Sequence, residues 1–322
     1  MIIKVPYRLN WAGAYLDCID EPVITSIINK YITAETDELP GCNTDDYVWV
    51  YSEEMGEAFQ TPICPQIRRA LTTNWKDYVN GCIAAFSRNN FTLTKGCYIK
   101  ISNDLPSGIG ISSSAAFIVA ILKVISEVNN LNLSDSLIAE LGYWVEHDYL
   151  GIPCGRMDFK AVLHEPGIWK INTDTCDLSQ DKLVSKDSYS GILVYRKQHN
   201  NANNVKFMYN VARIRGTKFN FNYDKHTAEY ISCEESVVNC INYLDYSNID
   251  KSLLACFLDN SDANIRRWLD LPRYHFEYMG VWGSKLLGSG INGAYFLLVD
   301  PDKQNELLQT LAVDYTVESI EI

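Results

Sequence analysis

The chain has 322 residues, enough for two domains or one large one, with an ordinary globular balance of apolar and charged residues. A net charge of −12 excludes the broad basic face that nucleic acid or an anionic membrane would need, though backbone N–H groups can still hold an anion locally. No apolar run approaches membrane-spanning length, and the opening Met1-Ile2-Ile3-Lys4-Val5-Pro6 is too short for a secretory leader. The ten cysteines include no C-x-x-C pair and no accompanying metal-ligand histidines, so the expectation is a cytoplasmic protein with reduced, mostly buried thiols.

Taken in order, residues 1–13 read as a strand with Arg8 and Asn10 as polar positions, followed by a loop over 14–22. Further strands are expected over Val23–Ile32 and Tyr47–Tyr51, with irregular chain from 52 to 72 around Pro62 and Pro65. Asn74 can cap a helix over Trp75–Arg88, in which Tyr78, Cys82, Ile83 and Phe86 keep helical spacing. Cys97–Ser102 alternates as a strand, and Ala115–Val128 forms a helical run free of Gly and Pro. Ser134 opens another helix whose apolar stripe is Leu137, Ile138, Leu141, Trp144 and Val145, with Glu146 near its end. The stretch 151–159 is rich in turns, and Gly167–Asn172 is a strand.

The polar segment 175–190 marks a domain boundary, giving an N-terminal domain over 1–185 and a C-terminal one over 186–322. Beyond it come a strand at Ser190–Arg196, a polar tract at His199–Asn204, helices over 227–245 and 251–279, and a second glycine-rich loop over Gly283–Ala294. A strand at Tyr295–Val299, a helix at Asp302–Ala312 and a strand at Tyr315–Ile320 close the chain. Strands and helices mix without regular βαβ units, which favours an α+β fold.

Chemistry concentrates in Leu105-Pro106-Ser107-Gly108-Ile109-Gly110-Ile111-Ser112-Ser113-Ser114-Ala115-Ala116, between a strand and a long helix. Glycines let the backbone approach a ligand, and the unpaired N–H groups of a first helical turn, with the positive end of the helix dipole, favour anions. The expectation is a nucleotide-phosphate cradle; the alternative is a turn whose serines merely cap the helix. The pattern is neither a Walker A loop nor a complete dinucleotide fingerprint.

Three motifs stand in order: Val5–Gly13, Leu105–Ala116 and Gly283–Gly293. Together they resemble the GHMP small-molecule kinases, the family of galactokinase and of homoserine, mevalonate and phosphomevalonate kinases. The middle motif resembles P-x-x-x-G-x-G-x-S-S-A, and the third G-x-K-x-x-G-x-G-x-x-G. The resemblance implies a two-domain fold, an N-terminal ribosomal-protein-S5-like domain followed by a C-terminal ferredoxin-like α/β sandwich, and ATP with Mg²⁺ as cofactors. It implies phosphate contacts from Gly108, Gly110, Ile111, Ser112, Ser113 and Ser114, with Gly288, Gly290 and Gly293 as the third-motif loop. Gly151–Asp158 is similar to the galactokinase stretch that ends in the catalytic aspartate, which makes Asp158 that residue and Arg8 its partner. Ser114 and Glu146 are implied as Mg²⁺ ligands; Asp17, Tyr15 and Gly155 are implied at the sugar. Such residues suit phosphoryl transfer, which needs positioning and charge neutralisation more than covalent work by the protein. Arg156 reads as either a surface charge or an extra anion contact, and Lys285 as a packing residue.

The chain leaves the galactokinase pattern at four places. Ala14 and Tyr15 replace a sugar-contacting Glu and His, Phe159 replaces a Gln, and Leu287 replaces a Ser or Thr. A site that hydrogen-bonds a hydroxyl discriminates through those bonds, so the acceptor is open while phosphoryl transfer stands. Ile28–Tyr31 and Lys285–Gly288 resemble heptose-phosphate kinases. The reading is an ATP-dependent kinase of a sugar or sugar phosphate acting at the anomeric hydroxyl. The alternatives are a silent sugar- and nucleotide-binding regulator and a kinase for a non-sugar alcohol.

Overall fold

The computed structural model describes residues 1–36, 46–64, 74–195, 235, 237–244, 246, 249–269, 271–272, 275–288, 290 and 293–322. The polar tract His199–Asn204 and much of the helix expected over 227–245 lie outside the described residues, although 237–242 is helical.

Two sheets carry the fold. The first contains β1 (Ile2–Ala12), β2 (Val23–Glu35), β3 (Tyr47–Ser52), β4 (Glu57–Pro62), β5 (Cys97–Asn103), β6 (Gly167–Ile171) and β7 (Lys182–Ser185). Their order is β4-β3-β5-β2-β6-β7, with β1 also on β2; β3 and β5 run parallel and every other pair antiparallel. The second sheet has the order β11-β8-β10-β9, from β8 (Ser190–Tyr195), β9 (Val281–Leu286), β10 (Tyr295–Val299) and β11 (Thr316–Glu321), all antiparallel.

Helices cover these sheets: α1 (Trp75–Arg88), α2 (Ser113–Val128), α3 (Asp135–Trp144), α4 (Met157–Ala161), α5 (Lys251–Trp268) and α6 (Gln304–Leu311). Asn74 caps α1, its Oδ1 accepting from the N–H groups of Lys76 at 2.8 Å and Asp77 at 3.3 Å. The Ser134 hydroxyl accepts from the Leu137 N–H at 3.3 Å and starts α3. α2 is buried along most of its length, as its nearly all-apolar sequence requires.

Period-two alternation divides the second sheet between two cores. Leu193, Phe296, Leu298 and Ile320 join the large core shared with the first sheet, while Ile192, Val194, Leu297 and Val299 pack under α6 with Leu307 and Leu311. Trp11 of β1 meets Phe296 of β10 edge-on, with ring centroids 5.4 Å apart, so the sheets pack directly on each other.

Several expectations are corrected. The segment read as irregular after 52 holds β4, hairpinned to β3, because Glu57–Thr61 alternates well enough to pair. Gly283–Leu286 belongs to β9 and not to the glycine loop, which begins at Leu287; Gly283 instead lets β9 pass Ala255, 3.1 Å from where a Cβ would sit. The helix expected over 251–279 ends at Trp268, ahead of Pro272. Glu146 lies just past the end of α3, as expected, in a π-helical turn, Val145–Tyr149, that buries it. Among the described cysteines Cys18, Cys82 and Cys97 are buried, but Cys64, Cys240 and Cys256 are exposed. No described helix is long and apolar enough to cross a membrane.

Candidate active site

β1 positions the first site residues. Its pairing with β2 shifts register between Pro6 and Arg8 and again between Asn10 and Ala12. Such irregularities re-aim side chains, and here they bracket Arg8 and Asn10, the buried polar positions of the strand. The Arg8 guanidinium is 5% exposed and donates to Asp158 Oδ1 from Nε at 2.8 Å and from Nη2 at 2.5 Å. Its Nη1 donates to the Gly110 carbonyl at 3.0 Å, and the Arg8 N–H to the Ile111 carbonyl at 3.3 Å. One arginine thus ties the aspartate on α4 to the Gly/Ser loop.

That loop adopts the conformation its glycines allow, with φ of 81° at Gly108 and 85° at Gly110. Ser112, at 64°, precedes α2 without capping it through its side chain; its Oγ is buried and has no hydrogen-bond partner. The Ser113 hydroxyl accepts from the Gly108 N–H at 3.1 Å, so that N–H is engaged within the loop. Ile111 sends its side chain into the core and contributes its carbonyl to Arg8, not a face to the cleft.

The third-motif loop supports the first from behind. A Cβ on Gly110 would lie 2.8 Å from the Gly288 nitrogen, and one on Gly288 would lie 2.7 Å from the Gly110 Cα. The two backbones touch where only glycine fits. Gly290 packs on Ile265 and Leu269, and Gly293 has open space around its Cα. Lys285, fully buried on β9, reaches across to β1 and donates to the Asn10 carbonyl at 2.5 Å and to Asn10 Oδ1 at 2.8 Å. Burial and the nearby Arg8 push its ammonium well below the usual lysine range. It packs, as expected, but it also joins the two sheets beside the site.

The carboxylates have distinct settings. Glu146 is pushed up to about 7, first by burial and then by Asp158; hydrogen bonds from Ser114 and Cys154 oppose this. Asp17, in a 3₁₀ turn (Leu16–Ile19) that follows Tyr15 at a φ of 66°, is likewise pushed up to about 7 by burial and Asp158, against the pull of Arg8. Gly155 packs on Asp17 so closely that a Cβ would stand 2.4 Å from the carboxyl Oδ2. Arg156 turns away, donating to Asp20 at 2.8 Å and to the Thr173 carbonyl at 3.2 Å and lying over the Tyr143 ring. It is an intramolecular tether, which closes the choice its sequence left open.

A cleft of about 450 Å³ gathers Arg8, Tyr15, Asp17, Glu146, Gly155 and Asp158 with Gly108, Gly110, Ser112, Ser113, Ser114 and Gly288. That volume suits a small-molecule site. Gly290 and Gly293 do not line it. Apolar and aromatic side chains, among them Met55, Trp75, Tyr78 and Phe117, line it as well.

Sequence reasoning passed over Glu54, from the hairpin between β3 and β4. Its carboxylate accepts from the Ser107 N–H at 2.8 Å, the Ser107 hydroxyl at 2.6 Å and Asn103 Nδ2 at 2.6 Å, clasping the start of the Gly/Ser loop. It lies in the stretch read as irregular, and only its charge set it apart. Cys154 was likewise seen only as part of a turn, yet it lines the cleft and bonds Glu146.

Residues 77–165 match the family model for the GHMP kinases N terminal domain. The chain is 26% identical over 339 residues to the galactokinase of Pyrococcus furiosus, with 97% of this chain and 93% of that one covered. Other galactokinases align over about half of their own length. Among solved structures, the Lactococcus lactis galactokinase complexed with galactose superposes with a TM-score of 0.78 at 16% identity, covering 100% of this chain and 93% of that one. The mevalonate kinase of Methanococcus jannaschii superposes with a TM-score of 0.75 at 18% identity, covering 100% and 98%. At such identities these likenesses speak for the fold alone.

Proposed function

We propose, from the GHMP kinases N terminal domain match over residues 77–165 and the alignment with a galactokinase along 97% of the chain, that this is a GHMP-family kinase that transfers the γ-phosphoryl group of ATP to the anomeric hydroxyl of a neutral sugar. The observation that carries this reading is the Arg8 bridge, which holds the Asp158 carboxylate beside the Gly/Ser loop through Gly110. The full-length alignment with a galactokinase supports a sugar as acceptor. Among the described residues that line the cleft, Arg8 is the sole cation, facing Asp17, Glu54, Glu146 and Asp158. An acceptor that brought its own phosphate would meet no second cation among the described lining residues, which supports the neutral-sugar reading.

The donor set fits ATP and Mg²⁺. The buried, unpartnered Ser112 Oγ and the first-turn N–H groups of α2 suit a polyphosphate. Ser114 and Glu146 would hold Mg²⁺ as hard oxygen ligands, in keeping with a cation that takes few protein ligands and keeps the rest as phosphate and water. When bound, Mg²⁺ neutralises phosphate charge and lowers the cost of bringing a triphosphate against four carboxylates.

The protein's own part is positioning. The Gly/Ser loop holds the phosphates, with Glu54 fixing its entry. Asp158 accepts a hydrogen bond from the acceptor hydroxyl, orients it and takes its proton as the hydroxyl oxygen bonds the γ-phosphorus and the bond from that phosphorus to the ADP oxygen breaks. Arg8 keeps the Asp158 carboxylate in place and offsets charge on the phosphoryl group in transfer. Asp17 holds a further sugar hydroxyl. Gly288 backs Gly110, so the C-terminal domain, proposed to begin near residue 186, supports the loop from outside the N-terminal one. A reaction that consumes ATP suits a cytoplasmic location.

ADP release from the purified protein, with MgATP and a panel of neutral sugars, tests the reading. Turnover with at least one sugar, abolished in Asp158→Asn, is expected. ATP binding without turnover of any sugar would sink it and leave the regulator.

A further inference from the structure

We propose that Lys285, on the second sheet, is a positioning residue for the reaction: through Asn10 and Met157 it sets Asp158, so that the docking of β9 on β1 is felt at the base. This rests on the sugar-kinase reading above and concerns what holds its base in place.

The contacts run without a gap from one sheet to the other. Lys285 is buried, and its Nζ donates to the Asn10 carbonyl at 2.5 Å and to Asn10 Oδ1 at 2.8 Å. With its oxygen toward Lys285, the Asn10 amide turns its nitrogen the other way, where Nδ2 donates to the Met157 sulfur at 3.0 Å. Met157 is buried, opens α4 and immediately precedes Asp158. Arg8 and Asn10 sit two positions apart on β1, in unbroken register opposite Ile27 and Thr25, so both point to one face. That strand therefore grips α4 twice, Arg8 at the Asp158 carboxylate and Asn10 at the residue before it.

The two grips differ in what backs them. Arg8 also donates to the Gly110 carbonyl, whereas the Asn10 amide oxygen is held from the second sheet, by a side chain 275 positions away. Lys285 is not among the described residues that line the cleft, so it acts on the reaction through others. A residue needed only to fill its space would be better apolar, because an ammonium loses its hydration on burial. Burial and the nearby Arg8 do push this lysine well below its usual range. What its two bonds achieve is to fix the direction of the Asn10 amide, and with it the sulfur at the start of α4. Without the lysine the amide turns about its last torsion, which is broad and soft, and Met157 loses its anchor. Misplacement by about 1 Å, from a change remote from the chemistry, can cost roughly a hundred-fold in rate. A thioether is a weak acceptor, so the loss expected here is smaller.

The experiment measures kcat, the KM values for ATP and sugar, and the melting temperature. It compares wild type, Lys285→Met, Met157→Leu and the double variant, with MgATP and the neutral sugar that the wild type turns over best. Lys285→Met keeps an unbranched chain and loses the donors; Met157→Leu keeps the volume and loses the sulfur. Lys285→Met should lower kcat by about ten-fold and Met157→Leu by about three- to five-fold, with both KM values within about two-fold. Because the two act through one chain of contacts, the double variant should match Lys285→Met and not multiply the losses. Met157 lines the cleft, and an effect it had on the sugar directly would multiply with that of Lys285. A lysine that only braced the fold would change the melting temperature and leave kcat per folded molecule as it was. Wild-type kcat in either single variant, a loss carried by KM, or losses that multiply in the double variant overturns the inference and leaves the sugar-kinase reading standing. Should Lys285→Met not fold, Lys285→Gln takes its place under the same outcomes. If the wild type turns over no sugar while ATP still binds, the reading fails and the inference with it.

Discussion

The Gly/Ser loop at 105–116 and the turn-and-helix stretch at 151–159 line one cleft, yet they present it with different chemistry. The loop works through backbone: positive-φ glycines, a helix N-terminus and a glycine-on-glycine contact with the third-motif loop. The other wall works through side chains, namely Asp158, Asp17, Cys154 and Met157. A backbone wall cannot change its chemistry without changing its shape, and it admits no Cβ at Gly110 or Gly288. A side-chain wall can be rewritten one residue at a time while the fold stays as it is. This is why Ala14 and Tyr15 can depart from the galactokinase pattern while the loop keeps to it.

The contrast can be broken in order of expected effect. Asp158→Asn, on the side-chain wall, should lower kcat by roughly a hundred- to ten-thousand-fold with the KM for ATP within about two-fold. Normal turnover in that variant would show that the aspartate is no base. Gly110→Ala, on the backbone wall, should weaken ATP binding by at least about ten-fold and cost about 1–3 kcal/mol of stability, because the Cβ meets the Gly288 backbone at a positive φ. Calorimetric titration with ATP and thermal unfolding measure both losses, and a variant with wild-type affinity would mean the two loops can separate freely.

Glu146→Gln should raise the Mg²⁺ concentration for half-maximal activity by several-fold, read from rates at fixed ATP; an unchanged Mg²⁺ dependence removes Glu146 as a ligand. Glu54→Ala should raise the KM for ATP by about five-fold and leave kcat nearly unchanged, since it releases only the entry of the loop.

The smallest effect concerns Asp17, whose folded-state pKa of about 7 lies above the usual carboxylate value. The folded protein then binds more protons than the unfolded chain between about pH 4 and pH 7. Its stabilising contribution is present in acid and lost as pH rises through that window, by at most roughly 1.4 kcal/mol per pH unit. Asp17→Asn should flatten this slope in melting temperature measured from pH 5 to 8. An unchanged slope would assign it to other groups.

Much of the fold was legible because its signals are local. Asn74 and Ser134 cap helices through hydrogen bonds that their sequence positions announce, and the alternation in Tyr295–Val299 divides two cores. Site residues borne on motifs were legible too: Arg8, Ser114, Glu146, Asp17 and Asp158 all come to one cleft. What sequence hid was non-local. Glu54 acquires its role only when a hairpin folds back over β5, and nothing in its neighbours encodes that. The burial of Glu146 was hidden as well, because the π turn that buries it has no plain sequence signature. Gly283 read as part of the second glycine-rich loop, although it serves a helix crossing 28 residues upstream at Ala255.

Lys285 gives the chain a temporal order. Its partner Asn10 lies 275 positions earlier, on the first strand made. A ribosome delivers the N-terminal sheet, the Gly/Ser loop and Asp158 well before β9 emerges, and domains fold largely in that sequence. Until then the Asn10 carbonyl and amide oxygen, buried beside Arg8, have no lysine to receive, and Gly110 has no Gly288 behind it. A chain that ends before β9 therefore has Arg8, Asp158 and the Gly/Ser loop but neither the lysine that joins β9 to β1 nor the glycine that backs Gly110.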